Sequence, residues 1–189
     1  TLRQQDFSPN LLTDKIMEKW PELRLYSTYA STEMSTTFTE CDAQQGGHHH
    51  PEKIITEVLD DEGNPLPYGQ LGELTITTLG VEGMPLLRFR TGDMVTLHDT
   101  PCSCGRNTLR VSPVVGRKQQ MIKYKGTTLY PPALMDLLTE FAQVENYIIE
   151  ISSNEILTDE ILIKIGTCEP SEALKEEIAN HFRAKMRVV

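Results

Sequence analysis

Between Lys53 and Leu97 the chain is written in the pattern of β-structure, and that run limits the folds open to it. Ile54-Ile55-Thr56-Glu57-Val58-Leu59 predicts a strand. Asp60 to Pro65 predicts a turn, because Asp, Gly, Asn and Pro tolerate turn dihedrals. Gly72 to Thr78 alternates apolar and polar side chains with a period of two, the mark of a half-buried strand. Leu86–Arg90 and Met94–His98 predict two further strands, with Thr91-Gly92-Asp93 as the turn between them. Val111–Val115 adds another, ending at Gly116-Arg117. The pattern then changes. Met121–Lys125 reads as a strand and Gly126 as a turn. Pro131-Pro132 opens a helix running to about Gln143, since proline suits the first helical position. Val144–Ser152 and Glu160–Gly166 read as strands. A last helix follows Glu169-Pro170-Ser171, with Leu174, Ile178, Ala179 and Phe182 on one face. That order is β-α-β-β-α, ferredoxin-like. The fold class is therefore α+β: a β-rich part over 1–116 and a small α/β part over 117–189. Upstream, Asn10 to Trp20 predicts a helix with Leu12, Ile16 and Trp20 on its apolar face, Asn10 as cap and Pro21 as stop. Leu23–Tyr29 predicts a strand.

Charge narrows the partners. The 189 residues hold 27 acidic and 18 basic side chains, a net charge of -9. Phosphate neutralisation needs clustered Lys and Arg, so a general nucleic-acid binder is not expected. Nowhere does an apolar run approach the ~20 residues of a membrane span, so no membrane partner is expected either. The chain opens on Thr1 without a secretory leader pattern, which suggests a piece of a longer protein. Its four cysteines, Cys41, Cys102, Cys104 and Cys168, are better read as reduced thiols in a cytoplasmic protein than as disulfides. Cys41, the run His48-His49-His50 and Cys102-Ser103-Cys104 hold most of the metal-ligand chemistry. Three thiolates and one imidazole suit a closed tetrahedral Zn²⁺ site of structural type. Any of the three histidines could complete it. The ordinary alternative is two buried thiols beside a solvated histidine loop.

Three motifs occur in a telling order: Tyr29-Ala30-Ser31-Thr32-Glu33, then Arg88-Phe89-Arg90-Thr91-Gly92-Asp93, then Gly116-Arg117-Lys118-Gln119-Gln120-Met121-Ile122-Lys123-Tyr124-Lys125-Gly126. Gly72-Glu73-Leu74, Pro85-Leu86-Leu87 and Cys102-Ser103-Cys104-Gly105-Arg106 support them. Taken singly, Asp93 reads as a turn former, Tyr29 as a core ring, and Arg88 and Arg90 as partners of surface carboxylates. Together the motifs resemble the AMP-forming acyl-CoA synthetase (adenylate-forming) superfamily, and within it the phenylacetate-CoA ligase family. The resemblance runs from about Leu25 to the C-terminus. It implies the β-rich end of the large adenylate-forming domain followed by the small mobile domain.

That resemblance implies roles. Asp93 would accept the ribose hydroxyls of ATP or AMP, as an acceptor-only carboxylate can. Arg117 would reach the same ribose, Tyr29 would stack on adenine, Thr32 would donate to the α-phosphate, and Glu33 would hold Mg²⁺. Gln119 would be the pivot on which the small domain turns between adenylation and thioester formation. Lys123, Lys125 and Gly126 would line the channel for CoA; as ordinary residues, the two lysines would be a solvated strand edge. A Gly-x-His at this place in relatives points to His48 as the zinc ligand, ahead of His49 and His50. Zinc there would tie the loop after Glu33 to the loop after Asp93. Ala30 stands where the motif usually has glycine, and Gln119 where relatives often have aspartate or lysine.

The expected function is ATP-dependent ligation of a carboxylic acid to CoA, with phenylacetate or another aryl acid as substrate and phenylacetate catabolism as setting. A homodimer is compatible with this reading. The phosphate-gripping Gly-rich Ser/Thr loop and the C-terminal catalytic lysine of the superfamily are not in the sequence, and Lys185 does not match that lysine. The expectation is a C-terminal portion that is inactive alone. Two other functions remain open here: an adenylating enzyme that loads a carrier protein, and a non-catalytic zinc-braced interaction module.

Overall fold

The computed structural model describes residues 2–124, 127–153 and 159–186. Lys125 and Gly126, two of the residues implied for CoA, lie outside the described residues. The chain divides into two compact units, Thr1–Gln119 and Gln120–Val189.

In the first unit, helix α1 (Leu11–Lys19) starts where Asn10 Oδ1 accepts a hydrogen bond from the Thr13 amide, at 3.0 Å. Asn10 thus satisfies one of the amides that a helix start leaves open. The orientation of α1 differs from the amphipathic expectation: Thr13 is buried, whereas Leu12 and Trp20 are exposed. Thr13 Oγ1 donates to the Leu2 carbonyl at 2.6 Å, so a polar tether sets which face turns inward.

Strands β1 (Thr28–Ala30), β2 (Thr37–Glu40), β3 (Gly47–His48), β4 (Ile54–Leu59), β5 (Leu71–Thr78), β6 (Phe89–His98), β7 (Arg110–Val111) and β8 (Gly116–Arg117) form one antiparallel sheet. Its order is β1-β2-β3-β7-β6-β5-β4, and β8 pairs with β6. Ile54 and Val58 of β4 and Leu74 and Ile76 of β5 lie in the core beside Met34, Phe38, Val95, Leu97 and Val111. Each such side chain contributes about 1.5–3 kcal/mol by leaving water. Gly47 permits the tight β2–β3 contact, since a Cβ there would stand 2.6 Å from the Phe38 carbonyl.

The expected turn at Thr91-Gly92-Asp93 is instead a bulge inside one continuous strand. Arg90 pairs with Thr75 and Met94 with Glu73, so residues 91–93 stand opposite Leu74 alone. Gly92 takes φ +78°, a conformation that glycine adopts without steric cost. Thr91 Oγ1 donates to the Leu74 carbonyl at 2.9 Å and accepts from the Asp93 amide at 3.1 Å. A bulge gives the re-aiming of a side chain that the turn was invoked to supply. Two other strands are shorter than alternation suggested: Leu23–Tyr29 contributes Thr28 and Tyr29 to β1, and Val111–Val115 contributes Val111 to β7.

The second unit pairs β9 (Ile122–Tyr124) with β10 (Thr127–Leu129), followed by α2 (Pro131–Thr139), the antiparallel pair β11 (Asn146–Ser153) and β12 (Asp159–Gly166), and α3 (Glu172–Met186). Proline opens α2, but the helix ends before Gln143. Ile122, Leu129 and Leu134 form one apolar cluster, and Leu138, Leu174 and Ile178 another. No described helix is long and apolar enough to cross a membrane.

Candidate active site and metal cluster

Curvature of the sheet brings the first motif to the second. In a flat sheet, four inter-strand steps of about 4.8 Å would hold β1 and β6 roughly 19 Å apart. Yet Tyr29 on β1 donates its hydroxyl to Oδ2 of Asp93 on β6, at 2.6 Å. The sheet therefore curls until its first and fifth strands meet through side chains. The Tyr29 ring stacks on buried Phe38, with centroids 5.8 Å apart and planes 13° from parallel. Burial first, and the Asp93 carboxylate second, push the phenol far above its ordinary pKa, so it stays a donor.

The third motif reaches the same carboxylate. In the β6–β8 pairing Arg117 lies opposite Asp93, and its Nε stands 3.2 Å from Asp93 Oδ1. Asp93 is buried while Arg117 is largely exposed. Glu33, exposed on the turn after β1, has its pKa lowered by its own backbone amide, by the Ser31 side chain, and by the charge of Arg117. Tyr29, Asp93, Arg117 and Glu33 thus share one neighbourhood. Thr32 sits exposed on the same turn as Glu33.

Arg88 and Arg90 serve the frame. Arg88 makes a forked pair with Glu57 at 3.1 and 3.2 Å, and Arg90 Nε donates to Glu73 Oε2 at 2.8 Å. Lys118 also bonds Glu73, at 3.2 Å, and pairs with Asp61. Glu73 therefore fastens the residues just before Gln119 to β5. Gln119 lies exposed in a short 3-10 turn, Lys118–Gln120. Lys123, on β9, is exposed, and its backbone amide donates to Asp159 at 2.7 Å.

The second cluster holds the sulfur. The donor atoms of Cys41, His48, Cys102 and Cys104 all lie within 4.8 Å of one another. Cys41 follows β2, His48 is on β3, and Cys102 and Cys104 follow β6. A tetrahedral zinc ion would place two thiolate sulfurs about 3.8 Å apart, and a sulfur and an imidazole nitrogen about 3.6 Å apart. Sγ of Cys41 and Cys102 are 3.6 Å apart, and Cys104 Sγ is 3.5 Å from His48 Nε2. Thr108 Oγ1 bonds His48 Nδ1 at 2.9 Å, which aims Nε2 at the sulfurs. Burial foremost, then Arg106 and Arg110, hold the His48 pKa down, so the ring is neutral and able to ligate. Burial raises the Cys41 thiol, whereas the Arg106 amide above all lowers exposed Cys104 to about 7. His49 and His50 stand apart from the cluster: the His49 backbone pairs with the Leu109 carbonyl, and His50 faces Glu52. Cys168 is exposed in the second unit and donates to Glu145 at 2.8 Å.

Sequence reasoning did not single out Phe38 or Thr108, and it gave Glu73 no role beyond its place in Gly72-Glu73-Leu74. Phe38 and Thr108 support a ring that motif reading had identified, and only their placement across the sheet reveals that work. A cavity of about 820 Å³ in the second unit is walled by Leu129, Ile161, Ile178 and Phe182 among others, and among the described residues none of the candidate site residues lines it.

No protein-family model matches the chain. Among curated proteins, a phenylacetate-coenzyme A ligase of Thermus thermophilus is 35% identical over 147 residues, 74% of this chain and 33% of that protein. The chain belongs to the phenylacetate-CoA ligase family. A phenylacetate-coenzyme A ligase of Escherichia coli is 29% identical over 131 residues, 69% of this chain and 28% of that protein. The fold agrees: a solved 2-hydroxyisobutyryl-CoA ligase in the postadenylation state superposes with a TM-score of 0.77 at 25% identity, covering 93% of this chain and 40% of that one. This member of the phenylacetate-CoA ligase family spans about a third of the length of the curated relatives it matches.

Proposed function

We propose that the chain carries the ribose-facing part of the nucleotide site of an AMP-forming acid-CoA ligase. The observation that supports it most is the meeting of Tyr29, Asp93 and Arg117, within the field of which Glu33 also lies. Asp93 accepts the ribose hydroxyls, Arg117 adds a charged donor to the same sugar, and the Tyr29 ring stacks on the adenine. Thr32 donates to the α-phosphate. A carboxylate such as Glu33 suits Mg²⁺, which would neutralise charge gathering on the phosphates.

The reaction has two steps. An oxygen of the acid attacks the α-phosphorus of ATP, an acyl-phosphate bond forms, and pyrophosphate leaves. The thiol of CoA then attacks the acyl carbonyl and AMP leaves with its electron pair. Gln119 is the pivot between the steps. Lys123 helps to bind CoA in the second step, the role that the family resemblance also implies for Lys125 and Gly126. Phenylacetate or another aryl acid is the substrate, in a reducing cytoplasmic setting. The donor spacings favour structural zinc held by Cys41, His48, Cys102 and Cys104. These ligands join the segments after β2 and β6, the strands that carry Phe38 and Asp93.

The test is AMP binding by the 189-residue chain, followed by calorimetry and by the Tyr29 ring resonances. Binding lost in Asp93→Ala, with the fold retained, supports the site. Equal binding by the wild type and the variant, or no binding by the wild type, overturns it.

A further inference from the structure

Resting on the nucleotide reading above, the Tyr29 hydroxyl has a task separate from that of its ring. A carboxylate offers about four lone-pair positions, two on each oxygen. In this protein each Asp93 oxygen already has one protein partner: the Tyr29 hydroxyl on Oδ2 at 2.6 Å and Arg117 Nε on Oδ1 at 3.2 Å. The backbone beneath is pinned as well, through the Asp93 amide and Thr91 Oγ1. Tyr29 is itself fixed by its stack on Phe38, which is 1% exposed. A rigid ring therefore delivers its hydroxyl to one oxygen of a buried carboxylate, across a curled sheet and from a strand 64 residues away in sequence.

We propose that Tyr29 is a positioning residue: its hydroxyl, holding Oδ2 while Arg117 holds Oδ1, sets the plane of the Asp93 carboxylate so that one lone pair on each oxygen remains for a ligand, and the site thereby selects a cis-diol over a single hydroxyl. Without the phenol, the carboxylate can rotate about its χ2 bond. Rotation leaves one well-placed acceptor at a time, enough for one hydroxyl but poor for two at fixed spacing. The ring's stacking on a base is untouched by this, so ring and hydroxyl can be separated by experiment.

The variant is Tyr29→Phe, which keeps the ring and its contact with Phe38. Calorimetric titration of the 189-residue chain with AMP and with 2′-deoxy-AMP reads the selection. Wild type is expected to favour AMP by about ten-fold, the worth of one hydrogen bond to a charged acceptor. In Tyr29→Phe the preference falls to about two-fold, because AMP weakens while 2′-deoxy-AMP changes little. An unchanged ratio overturns the proposal, whatever happens to overall affinity, because a merely structural role would weaken both ligands alike. A ligand-free arm separates the two readings: carbon-13 relaxation of the Asp93 carboxyl should report a fixed group in wild type and a mobile one in Tyr29→Phe. If wild type binds neither nucleotide, the nucleotide reading and the diol selection fall together. Equal order in the two proteins then removes the hold on Asp93 as well, and loss of order in the variant retains it.

Discussion

On the proposed zinc reading, replacing Cys102 with serine should remove most of the stabilisation that the ion would give the first unit. Cys102 is 7% exposed and its sulfur lies 3.6 Å from that of Cys41, so it cannot be exchanged for a solvent ligand without cost. A ligand that binds only the folded state stabilises it by RT ln(1 + [L]/Kd), about 4 kcal/mol at a thousand times Kd. Unfolding entropy near 2.1 cal/mol/K per residue gives a unit of residues 1–119 roughly 250 cal/mol/K, so zinc should raise its midpoint by about 15 °C. Serine is a poor zinc ligand. If its affinity is about a thousand-fold lower, the same zinc supplies roughly 0.4 kcal/mol, a rise below about 2 °C. Scanning calorimetry with buffered zinc and with a chelator measures both numbers. Cobalt in place of zinc should show a thiolate charge-transfer band that weakens in the variant. Cys168→Ser, which touches no cluster atom, should keep the full rise. Equal zinc-induced rises in wild type and Cys102→Ser, or none in wild type, would refute the four-ligand reasoning.

Other consequences are open to measurement. In the metal-free chain Cys104, with its pKa near 7, should be alkylated by iodoacetamide ahead of Cys41, raised by burial, and Cys168, raised by its bond to Glu145. Because the thiolate is the nucleophile, its rate should climb as pH rises through 7, from about one reactive molecule in a hundred at pH 5 to about half at pH 7; mass spectrometry reads the site, and bound zinc should suppress it. Arg3 and Glu40 form an ion pair with side chains 4% and 2% exposed, and Glu40 also accepts from the Ser27 amide at 2.8 Å. Glu40→Ala removes the carboxylate that balances the buried Arg3 charge, leaves the Arg3 bond to the Leu25 carbonyl, and should cost about 3–5 kcal/mol in a urea titration.

Much of the small unit was legible because its signals are local. Pro131 marks the start of α2, and the strands read over Val144–Ser152 and Glu160–Gly166 stand close to the observed β11 and β12. In the first unit Leu74 and Ile76 follow period two into the core, but β5 is buried on both faces, because Glu73 and Thr75 are buried as well. The lengths of β1 and β7 did not follow from pattern, because a strand extends only as far as a neighbour offers hydrogen-bond partners, and those neighbours come from distant sequence. The turn at Thr91-Gly92-Asp93 failed for a related reason. Glycine with flanking polar residues marks a reversed or irregular backbone, but whether it closes a hairpin or bulges within a strand depends on Glu73 and Thr75 in the partner. The apolar face of α1 failed because the tether from Thr13 to Leu2 outweighed an amphipathic stripe.

Residue types alone determined that this chain has the donors for a metal and the ordered motifs of its family. Local pattern determined its strands and where helices begin. The tertiary structure decided which atoms meet. Pairing of β3 between β2 and β7 brings His48, not His49 or His50, to three sulfurs, and sheet curvature carries the Tyr29 hydroxyl to Asp93. The physical reason is range: propensity and periodicity act over a few residues, whereas a site is made by contacts between segments that only a folded sheet brings within hydrogen-bond distance.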